Sequence, residues 1–98
     1  MGTTFFIELN MKTADGFERF GCFEIGCDRE FALKLFLALE GRPPEGEQGV
    51  LQLDLVESYR GLPVSIQVID CSISEICRNV KIITRELFKR INLRQMPL

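Results

Sequence analysis

The chain has 98 residues, 12 basic against 14 acidic, and a formal net charge of −2 with a pI near 5.1. That length predicts one domain over 1–98, able to build a core without disulfide staples. The composition argues against general attraction to nucleic acid or membrane surfaces. No run reaches the ~18 apolar residues of a spanning helix, and the lack of histidine removes the commonest general base and zinc ligand.

Residues 1–10 lack the basic start and long apolar stretch of a secretion signal. The expectation is a cytoplasmic protein with four reduced cysteines. Thr3–Lys12 alternates, with Phe5, Ile7, Leu9 and Met11 on one face and Thr4, Glu8, Asn10 and Lys12 on the other, as in a half-buried strand. Thr13-Ala14-Asp15-Gly16 then reads as a hairpin turn. The second strand is Phe17–Gly26, with Phe17, Phe23 and Ile25 on one face and Glu18 and Glu24 on the other. Arg19, Phe20 and Gly21 break that parity, and a bulge at Gly21 would repair it.

Phe31–Leu39 is the most apolar run and predicts a helix, N-capped by Asp28 and stopped by Gly41 before Pro43-Pro44. Phe31, Ala32, Leu35, Phe36, Ala38 and Leu39 make its apolar face; Arg29, Glu30, Lys34 and Glu40 lie opposite. Leu33 and Leu37 are left among the charges, stacked four apart, and are the predicted apolar centre of a contact.

The Gly- and Pro-rich segment 41–49 is a loop joining two ββα halves, 1–40 and 50–92. Val50–Tyr59 is the third strand, with Leu51, Leu53 and Leu55 inward. After a turn at Tyr59-Arg60-Gly61, Leu62–Asp70 is the fourth, with Leu62, Val64, Ile66 and Val68 inward and Pro63 at an edge or strand start. Ser72 and Glu75 form a capping box. Ile73, Ile76, Cys77, Val80, Ile83, Leu87, Phe88 and Ile91 form one face of the helix that follows, and Leu93, Met96 and Leu98 are docking candidates in the tail. The predicted fold is α+β in ββαββα order, a four-stranded, mainly antiparallel sheet with two helices packed on one face. The open face would carry Glu8, Asn10, Lys12, Glu24, Gln52, Asp54, Ser65 and Gln67, with Phe6, Val56 and Ile69 among them.

No phosphate-cradling glycine motif and no C-x-x-C is present, so no cofactor or metal is predicted. Cys27 and Cys71 each precede a helix N-terminus, where a thiolate is stabilised. They are the candidate reactive thiols of a redox or sensor activity and would meet if the second and fourth strands end side by side. Glu8, Glu24 and Asp54 share the open face, yet charged outward positions are ordinary on a solvated sheet. Residues 78–94 hold six basic side chains against Glu86, so this segment is +5 and the remainder −7. Lys81, Arg85 and Lys89, with Arg78, line one helical flank; without aromatic residues there, an acidic protein surface fits it better than nucleic acid. The resulting expectation is a non-enzymatic protein-interaction module, a homodimer or a domain docking on a protein partner. Leu33 and Leu37 would be its centre and Lys81, Arg85 and Lys89 its rim. The alternatives are the thiol activity and a small-ligand platform on the open sheet face.

Overall fold

The computed structural model describes residues 2–45 and 49–95, with side chains to residue 92. Four strands, β1 (Thr3–Thr13), β2 (Gly16–Gly26), β3 (Leu51–Tyr59) and β4 (Leu62–Cys71), form one antiparallel sheet in the order β2-β1-β3-β4. Helix α1 (Arg29–Leu37) follows β2 and α2 (Ile73–Gln95) follows β4, giving the ββαββα order expected. Of the predicted tail contacts, Met96 and Leu98 lie outside the described residues, as does the Leu93 side chain. Among the described residues no helix is long and apolar enough to cross a membrane.

Period-two alternation drives the assembly. Ile7 faces Phe23 on one side and Leu55 on the other, and Leu53 faces Ile69. These side chains project to the face that both helices cover. Phe5, Ile7, Leu53, Leu55 and Ile69 bury there against Ala32, Leu35 and Phe36 of α1 and Ile83 of α2. Each large apolar side chain so buried stabilises the fold by roughly 1.5–3 kcal/mol.

The turns follow local chemistry. Gly16 takes φ +107° after the Ala14-Asp15 turn, where the Thr13 hydroxyl donates to the Gly16 carbonyl at 2.8 Å. Arg60 and Gly61, both at positive φ, close the β3–β4 hairpin as a two-residue type I′ turn requires. Asp28 caps α1, accepting from the Phe31 amide at 3.2 Å, and the Ser72/Glu75 box closes reciprocally at 2.8 and 3.1 Å. Helix α1 already ends at Leu37, and Gly41 is not the left-handed stop expected of it. It lies against β4 instead, where Arg42 makes a two-bond bridge with the Asp70 backbone at 2.8 and 3.0 Å.

Three bulges interrupt the ladders, one of them at Ile25, between the pairs Phe6–Glu24 and Phe5–Gly26. The other two overturn simple alternation. In β2 the pairing passes from Leu9–Gly21 to Asn10–Arg19, leaving Phe20 over, so the expected bulge is present beside Gly21. It turns Arg19 to the open face, where it meets Glu8 at 3.2 Å, and also carries Phe17 there, opposite Lys12, away from the apolar face first assigned to it. In β4 the pairing passes from Leu55–Gln67 to Val56–Ser65, leaving Ile66 over. That bulge corrects the single inward parity expected of this strand. Ile66 packs on the core and Leu62 and Val64 keep to the helix side, while Val68 turns to the open face opposite Asp54. Ile69, expected on the open face, is in the core.

Candidate functional site

Helix α2 buries a different face from the one its apolar residues define. At about 100° per residue, the apolar arc of Ile73, Ile76, Cys77, Val80, Ile83, Leu87, Phe88 and Ile91 centres near Val80 and Leu87. The fully buried residues are Asn79 and Ile83. The helix is thus turned by about 90° from the orientation its apolar arc favours. The cause is a hydrogen-bond clamp: the Asn79 Oδ1 accepts from the Glu40 amide at 2.8 Å, and its Nδ2 donates to the Glu40 carbonyl at 2.7 Å. Both backbone groups belong to the segment just after α1, which has run out of helical partners. At the other end Arg90 lies 4.2 Å from the Phe31 ring centroid and pairs with Asp28 at 2.7 Å, fixing the last turns of α2 to the start of α1.

This rotation leaves half the apolar arc uncovered. Ile73 is 73% exposed, Phe88 66% and Ile91 53%, and Cys77 is exposed too; these four were assigned to the core face from sequence. Phe88 and Ile91 sit on the C-terminal turns. The Arg90–Asp28 pair sets these turns at the end of the sheet where Phe5 faces Gly26 and where β4 begins. Helix α2 follows directly on β4, an edge strand whose Leu62 and Val64 are 70% and 60% exposed on the helix side. Four large apolar side chains from two elements therefore stand uncovered toward the same end of the sheet. The local signal was present in the sequence, since eight apolar residues span more arc than one packed stripe needs. The signal for Asn79 was not, because its partner is 39 residues away.

The pair proposed from sequence on α1 is divided by the fold. Leu33 packs on the core at partial exposure, whereas Leu37 is 73% exposed. The segment after α1 runs to β4, where Arg42 bridges Asp70. Lys81, Arg85 and Lys89 are all exposed; Arg85 and Lys89 meet Glu86 at 3.2 and 3.6 Å, and Lys81 has no partner among the described residues. Glu86 serves these two and not Arg90, four residues on, because Arg90 is taken by Asp28.

The candidate thiols lie apart. Strands β2 and β4 are opposite edges of the sheet and run antiparallel. Cys27 therefore follows β2 at the Phe5 end, while Cys71 faces Leu51 at the Met11 end. Cys27 is exposed. Cys71 is buried and donates to the Glu40 carbonyl at 3.3 Å; burial first, and the Glu75 charge second, push its thiol up to about 11. At pH 8 only about one Cys71 in a thousand is then a thiolate. In an iodoacetamide time course read by mass spectrometry, Cys71 is expected to label last, well behind Cys27 and Cys77. Labelling of Cys71 at the rate of Cys27 would contradict its burial.

On the open face Glu8 and Asp54 are direct cross-strand neighbours. Burial raises the Asp54 carboxyl, against a 2.6 Å hydrogen bond from Ser65 that lowers it, and the Glu8 charge raises it further. Glu24 sits one pair along, opposite Phe6. Among the described residues no group of three metal-ligating side chains forms. The depression on this face, lined by Phe6, Glu8, Arg19 and Val56, holds about 190 Å³, below the range of ordinary small-molecule sites. A larger cleft of about 720 Å³ opens at the opposite end of the sheet from Leu62, lined by Arg42, Pro43, Glu45 and Gly49, the end of β1, the start of β3 and the start of α2. Comparison of the chain with protein-family models, with curated proteins and with solved structures finds no match in any of the three.

Proposed function

We propose that the protein is a self-associating interaction module, with Leu62 and Val64 of β4 and Phe88 and Ile91 of α2 as the centre of its contact. The observation that carries this reading is their shared exposure toward one end of the sheet. Contiguous apolar surface rimmed by charge is what interfaces cover, and Lys81, Arg85 and Lys89 supply such a rim on the same helix. A second copy is the favoured occupant because Leu62–Ile69 carries no charged residue, so two such strands meet without like-charge repulsion. Pro63 and the bulge at Ile66 interrupt the edge, and Arg42 already occupies it at Asp70. The contact is therefore through side-chain faces rather than through an unbroken ladder across the two copies.

Sedimentation equilibrium over a concentration series tests this. Wild type is expected as a dimer and Val64→Glu/Phe88→Glu as a monomer with its melting temperature retained, since both positions are exposed within one chain. Leu37→Glu is expected to leave the dimer intact. A wild-type monomer throughout overturns self-association, and dissociation by Leu37→Glu alone would transfer the contact to the outer flank of α1.

A further inference from the structure

A groove of about 370 Å³ is lined by the two helices alone. Phe31, Leu35 and Ala38 of α1 and Ile82 of α2 supply its apolar surface, and Lys34, Arg85 and Glu86 its charges. Phe31 and Ile82 are half-buried and Ala38 is exposed, so the sheet does not use up this surface. Leu37, next to Ala38 and three residues on from Lys34, adds an exposed side chain on the same turn of α1.

The charges beside the groove are mainly of one sign. Lys81, Arg85 and Lys89 repeat every four residues, so they form one row along α2 with a rise of about 6 Å between them. Lys34 faces that row from α1. One carboxylate stands in the row, and a single oxygen of Glu86 serves both Arg85 Nε at 3.2 Å and Lys89 at 3.6 Å. The two terminal nitrogens of Arg85 and the Lys81 ammonium have no partner among the described residues. Lys34 meets Glu30 at 3.4 Å in a pair so exposed that water competes for both ends.

We propose that this groove takes an acidic amphipathic helix of a protein partner. Its apolar side chains lie on Phe31, Leu35, Ala38 and Ile82, and its carboxylates, three to four residues apart, face Lys81, Arg85 and Lys89. Charge complementarity selects this occupant. A second copy does not supply it, because α1 holds one acid, Glu30, and α2 only Glu75 and Glu86, eleven residues apart. A nucleic acid strand would use the basic row and leave the apolar surface bare. The one ring in the groove, Phe31, is half-buried with Arg90 stacked on it, so no base can take its place there. The inference does not rest on self-association. Ile82 in the groove and Ile91 in the proposed dimer contact are nine residues, about two and a half turns, apart and lie on opposite sides of α2.

The test is a methyl-resolved NMR titration of the full chain with a synthetic helix of about 16 residues, enough for four turns. Leucine and glutamate each repeat at three- to four-residue spacing on adjoining faces, and a twin carries lysine for every glutamate. Saturable shifts at the Leu37, Ala38 and Ile82 methyls are expected with the acidic peptide, at a dissociation constant of about 100 μM or below in low salt. The basic twin is expected to bind at least about tenfold more weakly. Lys34→Glu/Ala38→Glu, at two exposed positions, is expected to keep its melting temperature and lose tenfold or more in affinity for the acidic peptide, about the cost of one reversed charge contact. Val64→Glu/Phe88→Glu is expected to bind it as wild type does. Equal affinity for the two peptides, shifts confined to Ile91 and β4, or undiminished binding by folded Lys34→Glu/Ala38→Glu would each overturn the proposal. Tighter binding of an oligothymidylate than of the acidic peptide would overturn it too, in favour of nucleic acid.

Discussion

Replacing Asn79 with alanine is expected to lower stability by about 2–4 kcal/mol and the melting temperature by upwards of about 10 °C. Two hydrogen bonds end on this one amide, and both partners are the backbone of Glu40. Truncation costs more than the two net bonds, because it strands the partly buried Glu40 N–H, leaves the Glu40 carbonyl only the weak thiol donor of Cys71 at 3.3 Å, and opens space beside that Sγ, which lies 3.6 Å from Nδ2. Leucine is expected to be no better than alanine. It restores volume but satisfies neither backbone group, so added hydrophobicity brings no recovery. Aspartate keeps an acceptor for the Glu40 amide yet loses the donor to its carbonyl, and it places a charge in a buried position. Protonation restores a donor, so this folded-state pKa is raised. The variant's deficit against wild type should therefore be smallest in acid and should grow as pH rises past the unfolded carboxylate value near 4. Urea unfolding of the three variants measures all of this. An alanine variant within about 1 kcal/mol of wild type would show that the clamp does not set the orientation of α2.

Gly41→Ala is the second large loss, expected at about 1–3 kcal/mol. A Cβ at this position would stand 2.8 Å from the Asp70 carbonyl oxygen, 3.0 Å from Ile69 Cδ1 and 3.1 Å from Cys71 Sγ. The nearest of these is backbone in β4, held by the Arg42 bridge, and cannot swing aside as a side-chain tip can. Gly21→Ala is the control. Its Cβ would meet Leu9 at 3.7 Å, an ordinary contact, so that variant is expected to be neutral or slightly more stable. Urea midpoints with unchanged slopes would separate the two, and equal midpoints for both glycine variants would rule out the close packing of the loop on β4.

The sheet was the legible part of this protein. Ile7 and Leu9 on β1, and Leu53 and Leu55 on β3, alternate with polar residues. Their burial on the helix side follows from the pleat alone. The Phe20 bulge left a trace in the sequence because Gly21 and Arg19 stand out of phase. The Ile66 bulge left none, since Leu62, Val64, Ile66 and Val68 alternate without fault across it. The candidate site was legible in kind but not in place. Surplus apolar residues were visible on both helices, but which of them the core would take depended on how each helix is rotated.

Local chemistry written along the chain determined the elements, their order, both hairpin turns and both helix caps, because each needs only neighbours a few residues apart. The tertiary structure decided which apolar residues remain outside. The amide of Asn79 meets the unsatisfied backbone at Glu40, and Arg90 meets Asp28, across 39 and 62 residues. A hydrogen bond to a buried backbone group is directional and costly to leave unmade, whereas apolar burial tolerates rotation. The polar clamp therefore sets the helix, and the apolar arc turns outward with it.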